Sequence, residues 1–484
     1  MEYKSKTKAY KHQQTAFDKS WDKKEFALFM EMGTGKTKVA IDTFGTLFQK
    51  NKIDTVLVLA PKGVFDNWYS KEIPQHLSEK IKIKMVRWQP NMTKKFQETM
   101  RDLVFRKNRE PGFLHILIMN IEAMSTTKGV MTSLRYFKEN PDNFLIVDES
   151  TTIKNYKALR TKNVIKLSKI AKFKRILTGS PITKSPLDLY SQCEVLNSKL
   201  LGFKNFFTFQ NRYAVVRQRT LGPRSFREIT GYQRLDELNT KIDCFSERVL
   251  KDDCLDLPKK IYMLREVQMT TEQKNLYKQM KSLALAQFDN GELSTTQSVL
   301  TQIMRLQQIV CGHLQPDENT IQPIKNNRLD SLLETVDELQ GKAIIWATWT
   351  HDVLQVAEAL RRRFGNDSTA IYYGGTPQNE RQKIVEQFQD INSSLRFFVG
   401  QPKTGGFGLT LTAATTVIYF SNAYDLEIRL QSEDRPHRIG QESPVTYIDL
   451  VSIGTIDEKI LNALKSKINI SSEVLGEKTR DWLI

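Results

Sequence analysis

Seven residues, Glu31-Met32-Gly33-Thr34-Gly35-Lys36-Thr37, constrain this chain more than any other stretch. An apolar run, Phe26 to Met30, precedes them. Val39, Ala40, Ile41, Phe44, Leu47 and Phe48 follow at helical spacing. Strand, glycine turn and helix form the setting of a phosphate-binding loop. Gly33 and Gly35, on either side of Thr34, let backbone N–H groups close on phosphate oxygens. Lys36 is placed to reach β- and γ-phosphates, and the Thr37 hydroxyl to ligate Mg²⁺. The general pattern puts a glycine where this chain has Met30, so the loop takes a shorter form. An ordinary glycine-rich turn shares these letters, and the rest of the chain has to decide.

The alternation continues. Short apolar runs bounded by polar residues recur at 55–60, 116–119, 144–147 and 175–177, with helix-like segments between them. A second set opens at 343–346 and continues at 369–373, 397–399, 417–420 and 445–451. Such strands, alternating with helices, read as parallel sheets buried on both faces, so the fold class is α/β. A single core rarely grows to 484 residues, which predicts two tandem lobes, 1–195 and 258–484. The stretch 196–257 lacks the rhythm and is expected to be a helical protrusion, as is about 270–325 inside the second lobe.

Charge adds a partner class. Lys+Arg number 72 against 55 Asp+Glu, a formal charge of +17, which favours a polyanion. From Lys199 to Arg227 there are seven basic residues, Arg212 and Arg217 among them, and no acid. Phe203, Phe206, Phe207, Phe209 and Tyr213 are interleaved. Either the cations meet phosphates and the rings stack on bases, or the rings form the core of the protrusion and the charges its wet face. The four cysteines form no C-x-x-C pair, so neither a zinc-site spacing nor a disulfide framework is visible, and a reducing compartment is expected. The chain shows no secretory signal, membrane-length apolar run or internal repeat.

Three further motifs fall at strand ends or in the second lobe. Asp148-Glu149 closes the apolar run Phe144 to Val147. Two adjacent carboxylates there divide the labour, Asp148 holding Mg²⁺ and Glu149 polarising an attacking water. Leu177-Thr178-Gly179-Ser180-Pro181 ends the next strand, where a Thr/Ser pair is placed to couple nucleotide state to a bound strand. Arg435 and Arg438 are three apart, so in a helix they share a face and serve as arginine fingers toward a γ-phosphate.

Together the loop, Asp148-Glu149-Ser150, Leu177 to Pro181 and His437-Arg438-Ile439-Gly440-Gln441 resemble the Swi/Snf-type DNA translocases of helicase superfamily two. The resemblance runs from about Tyr10 to Lys467 and is carried most specifically by His-Arg-Ile-Gly-Gln. It implies two RecA-like lobes, with ATP and Mg²⁺ between them and Gln13 reading the adenine. Gly406 and Gly408 of the segment 404–409 fall to the nucleotide, and Thr404 to DNA. Lys62, followed by Asn67-Trp68, Asn120 and Lys154 match segments that approach the DNA backbone. The implied partner is double-stranded or forked DNA, with DNA-bound proteins as its targets. A monomeric motor is expected, in the cytoplasm in a nucleoid or viral replication context, or in the nucleus of a eukaryotic source.

Two positions depart from the family pattern. Ser150-Thr151 ends the acidic box where many members have His, and Thr410 replaces the usual Asn. Neither removes a group that phosphoryl transfer needs. An RNA helicase of the DEAD-box kind is the rival enzyme, but that group reads Asp-Glu-Ala-Asp and Ser-Ala-Thr. A non-catalytic DNA-binding scaffold is the rival from another class, opposed by the joint presence of Lys36, Thr37, Asp148, Glu149, Arg435 and Arg438.

Overall fold

Phe26, Leu28 and Met30 point to one side of their strand, Ala27 and Phe29 to the other, and each set is buried in a different hydrophobic core. The same division holds along the neighbouring strands. Val56, Val58 and Ala60 join the first set, and Leu57 and Leu59 the second. In this computed structural model, continuous apolar runs therefore mean strands covered on both faces. It describes residues 3–62, 64–90, 93–221, 224–254, 257–289, 296–317, 320–405 and 409–475.

The strands of the amino-terminal half are β1 (Glu25–Met30), β2 (Thr55–Ala60), β3 (Ile83–Arg87), β4 (Leu114–Asn120), β5 (Asn143–Asp148) and β6 (Phe173–Leu177). After them come β7 (Ala214–Leu221), β8 (Arg224–Tyr232) and β9 (Ser246–Val249). Seven of the nine form one sheet in the order β3-β4-β2-β5-β6-β1-β9, and every pairing is parallel. All seven carboxyl ends thus lie on one edge. Register aligns the motifs there: Asp148 and Leu28 both sit opposite Leu177, and Ala60 opposite Asn120.

The second sheet follows the same logic. Its strands are β10 (Lys260–Glu266), then, after the antiparallel pair β11 (His313–Asp317) and β12 (Thr320–Pro323), β13 (Lys342–Trp346), β14 (Thr369–Tyr372), β15 (Phe397–Gly400), β16 (Ala414–Tyr419) and β17 (Val445–Val451). The order is β10-β17-β16-β13-β15-β14, again all parallel. Ile344 and Trp346 face one core, Ala343 and Ile345 the other. The chain divides into two compact units, one within Met1–Asp256 and Asn469–Thr479, the other within Leu257–Ile468. The expected α/β class, in two tandem units each built on a parallel sheet, is what the chain adopts. Among the described residues no helix is long and apolar enough to cross a membrane.

The stretch 196–257 departs from its helical reading. It holds the helices Phe206–Tyr213 and Leu235–Asp243, but β7 and β8 pair between them as an antiparallel hairpin, and β9 joins the first sheet. Val215, Val216, Thr220, Ile229 and Thr230 supply the β-branched residues a strand favours. Arginines between them hide the apolar alternation on which a strand assignment rests. Leu57, fully buried in the sheet centre, tests the architecture. Leu57→Ala is expected to lower the stability of its unit by about 2–5 kcal/mol, read as a shift in the urea midpoint.

Candidate functional site

The loop after β1 has the backbone its glycines predict. Gly33 and Gly35 stand at φ 84° and 90°, in the left-handed region, and Gly35 caps the helix Lys36–Gln49. Thr34 is fully buried, and its hydroxyl donates to the Glu31 carbonyl at 2.7 Å. Gln13 closes over the loop. Its Nε2 donates to the Thr34 carbonyl at 3.1 Å, while its Oε1 accepts the Tyr10 N–H at 3.1 Å. His12 Nε2 meets the same carbonyl at 2.8 Å. A Cβ on Gly35 would lie 2.1 Å from Gln13 Nε2, so the glycine is needed for space as well as for φ. The arrangement is a helix amino terminus with bent, glycine-bounded N–H groups, which suits phosphate.

The carboxylates arrive from β5, across the sheet. Lys36 Nζ lies 3.6 Å from Glu149 Oε1, and both side chains are nearly buried. Glu149 has φ 47°, a left-handed backbone unusual for a residue with a Cβ. Its Oε2 accepts the Thr178 hydroxyl at 3.5 Å, and the Thr178 oxygen accepts the Ser180 N–H at 3.2 Å. Asp148 is 2% exposed. Burial raises its pKa above the usual carboxylate value, against the pull of the Lys36 charge and of a hydrogen bond from Trp68. Thr37 follows Lys36 in the first helical turn. A hydroxyl and a carboxylate are hard oxygen donors that fit Mg²⁺, which usually completes its shell with water and substrate phosphates.

The contacts of four residues of this site were hidden in the sequence. The resemblance placed Trp68 in a segment that approaches DNA, but it is fully buried, and its Nε1 donates to Asp148 Oδ2 at 2.8 Å. Gly179 is the second. A Cβ there would lie 3.1 Å from the Met32 nitrogen, so the turn after β6 packs directly on the start of the loop. The third is Arg248, next to β1 on β9, which donates to the carbonyls of Phe29 at 3.0 Å and Gly179 at 2.9 Å. The fourth is Lys251, whose N–H donates to Glu31 Oε2 at 2.7 Å. Trp68 and Gly179 stood in motifs that the sequence singled out for other roles. Arg248 and Lys251 are set by which strand lies beside β1.

Arg435 and Arg438 belong to the second unit. The expectation that they share a helical face is corrected. The helix Leu426–Glu433 ends before them, and Pro436 forbids its continuation. They converge all the same. Arg435, fully buried, donates to the carbonyls of Gln431 at 2.8 Å and Leu409 at 3.1 Å. Arg438, only partly buried, donates to the Leu409 carbonyl at 3.3 Å and the Thr410 hydroxyl at 3.0 Å. The unusual Thr410 thus gives this arginine an acceptor. Gln441 fastens the turn to the carbonyls of Thr412 and Ala414, each at 3.0 Å. Gly406 and Gly408 lie outside the described residues.

The six positions read as DNA contacts are scattered. Lys62 is exposed beyond β2. Asn120 Nδ2 donates to Glu122 at 3.4 Å, and Lys154 Nζ to the Thr183 hydroxyl at 2.7 Å. Thr404 is partly buried in the second unit, on the short helix Pro402–Gly405. Arg217 is exposed on β7. Arg212 differs from its reading as part of an acid-free run, because Glu237 of the helix Leu235–Asp243 takes its guanidinium through Nε at 3.1 Å and Nη2 at 2.5 Å. The neighbouring rings are core. Phe209 and Tyr213 are fully buried and Phe206 stacks on Tyr156 at 3.8 Å, leaving Phe207 exposed.

Trp68→Phe keeps an aromatic ring, though a smaller one, and strips a donor from a buried carboxylate. It is expected to cost about 1.5–3 kcal/mol in chemical unfolding, and unchanged stability would show that the indole does not hold Asp148.

The SNF2-related domain family matches residues 16–315, and the helicase conserved C-terminal domain matches residues 324–440. The probable ATP-dependent DNA helicase CHR12 of Arabidopsis thaliana is 26% identical over 467 residues, covering 92% of this chain and 39% of that protein. The TATA-binding protein-associated factor MOT1 of Saccharomyces cerevisiae is 27% identical over 414 residues, covering 75% and 22%. The uncharacterized ATP-dependent helicase MG018 of Mycoplasma genitalium is 24% identical over 454 residues, covering 92% and 40%. The chain spans about two-fifths or less of the length of these relatives. Among solved structures, the Sulfolobus solfataricus SWI2/SNF2 ATPase core in complex with dsDNA is 24% identical, covering 98% of this chain and 95% of that one at a TM-score of 0.43. With its SNF2-related match extending over more than half of its length, the chain belongs to the SNF2-related family.

Proposed function

We propose that this chain hydrolyses ATP and uses the cycle to move along double-stranded DNA as a monomeric motor, displacing bound proteins or remodelling branched or forked DNA. The observation that carries the reading is the meeting, within one unit, of Lys36 with Glu149 at 3.6 Å beside the buried Asp148. The loop N–H groups and Lys36 bind the phosphates. The Gln13 amide retains one hydrogen and one lone pair beyond its bonds to Thr34 and Tyr10, and these are assigned to the adenine edge. Glu149 orients the attacking water, and Thr178 links that carboxylate to the turn at Ser180. Thr37 and Asp148 would hold Mg²⁺, which supplies positive charge to the transferred phosphoryl oxygens.

Arg435 and Arg438 are assigned to the charge of the transition state. Their burial separates the two roles. Arg435 also cross-links the backbone of its own unit, whereas Arg438 is the more accessible. Support for DNA comes from the charge of +17 and from relatives named as DNA helicases.

Steady-state ATP hydrolysis tests the reading at one fixed salt, without nucleic acid and then with single-stranded DNA, blunt duplex, forked DNA and duplex RNA. Stimulation by duplex or forked DNA is expected. Stimulation by RNA alone would give the RNA-helicase reading instead, and no turnover in folded protein would give the scaffold. Lys36→Ala is expected to abolish hydrolysis and spare DNA binding. Arg438→Ala is expected to lower kcat on the order of 10³-fold or more at unchanged stability, and Arg435→Ala to lower both. Wild-type turnover in Arg438→Ala would remove the finger assignment.

A further inference from the structure

The hairpin of β7 and β8 has no structural reason to extend as far as it does. Two-stranded hairpins are marginal in water unless a face is covered. Among the described residues this one is anchored only at its root. Tyr213 is fully buried and Ala214 4% exposed, the Tyr213 hydroxyl donates to Glu237 at 3.0 Å, and the Gln233 N–H donates to the Tyr213 carbonyl at 2.9 Å. Beyond the root both faces meet solvent. Arg217 and Arg219 are exposed on one face, and Gln218, Thr220, Ser225 and Arg227 on the other.

The charges on the two faces are matched to a polyanion. Residues 214–232 carry Arg217, Arg219, Arg224 and Arg227 against one acid, Glu228. Glu228 pairs with Arg219 at 3.2 Å. Among the described residues no ion pair engages Arg217 or Arg227, and cross-strand register puts them on opposite faces, Arg217 opposite Glu228 and Arg227 opposite Gln218. Eight residues of β7 give a ribbon about 26 Å long. A two-stranded ribbon fits the major groove of B-DNA, about 12 Å wide, and is too broad for the minor groove of about 6 Å.

We infer that this hairpin is an arm that enters the major groove of duplex DNA, with Arg217 turned to one phosphate backbone and Arg227 to the other. The inference rests on the proposed function and adds to it a specific contact surface. The grip carries little sequence information, because Gln218, the side chain best suited to read a base, already donates to Ser225 at 2.8 Å.

The test uses the full chain and one duplex, with binding measured across a range of salt. Wild type, Arg217→Ala, Arg227→Ala and the double variant are compared, with circular dichroism and thermal unfolding to show that each is folded. Each single change is expected to reduce the slope of log affinity against log salt by about 0.9, and the double change by about 1.8. A duplex whose cytosines carry glucosylated 5-hydroxymethyl groups fills the major groove. It is expected to weaken wild-type binding several-fold and to affect the double variant much less. Equal slopes for wild type and double variant, or wild-type binding indifferent to the filled groove, would overturn the arm. Failure of the wild type to bind any duplex would remove the arm and the DNA-motor reading together, and would show before any variant is compared.

Discussion

Strands covered on both faces leave their polar chemistry one place to go, the edge where the strands end. In the first unit that edge collects the loop after β1, Asp148 and Glu149 at the end of β5, and Thr178 after β6, because every strand of the seven-stranded sheet runs the same way. The site is therefore a consequence of the sheet order. Lys36 and Glu149 are far apart in sequence and meet because β6 alone separates β1 from β5. Reversing either β1 or β5 would send one of the two to the opposite edge.

Burial then sets the electrostatics. Asp148 is held in a place where its charge is disfavoured, and three features offset this: the Lys36 ammonium, the Trp68 indole and the Glu149 N–H, which donates to Asp148 Oδ1 at 3.0 Å. The second unit handles buried charge by denser pairing. Arg429 meets Asp449 at 2.6 Å and Glu433 at 2.8 Å, and Tyr262 donates to Glu433 at 2.9 Å. That network fixes the helix Leu426–Glu433 and so the place from which the chain turns toward Arg435 and Arg438.

What was legible in the sequence was whatever depends on a short window. The loop, the acidic pair, the strand runs and the α/β class follow from local composition and period. What was not legible depends on long-range neighbours. Arg248 and Lys251 reach the loop only because β9 pairs with β1, and nothing near residue 248 announces that pairing. Glu237 neutralises Arg212 from outside the stretch that looked free of acid. The hairpin escaped notice because neither of its faces is apolar, and burial is what makes strand periodicity visible. The convergence of Arg435 and Arg438 was anticipated for a wrong reason, since turns and not a helix bring them to Leu409.

The left-handed backbone at Glu149 sets two demands against each other. Chain geometry at φ 47° suits glycine or asparagine, while the chemistry beside Lys36 asks for a carboxylate. A glycine there would relax the backbone but leave the nearly buried Lys36 ammonium without its carboxylate partner. Backbone geometry and charge pairing are thus opposed at this residue, and the proposed role of Glu149 in turnover sits on the side of the charge.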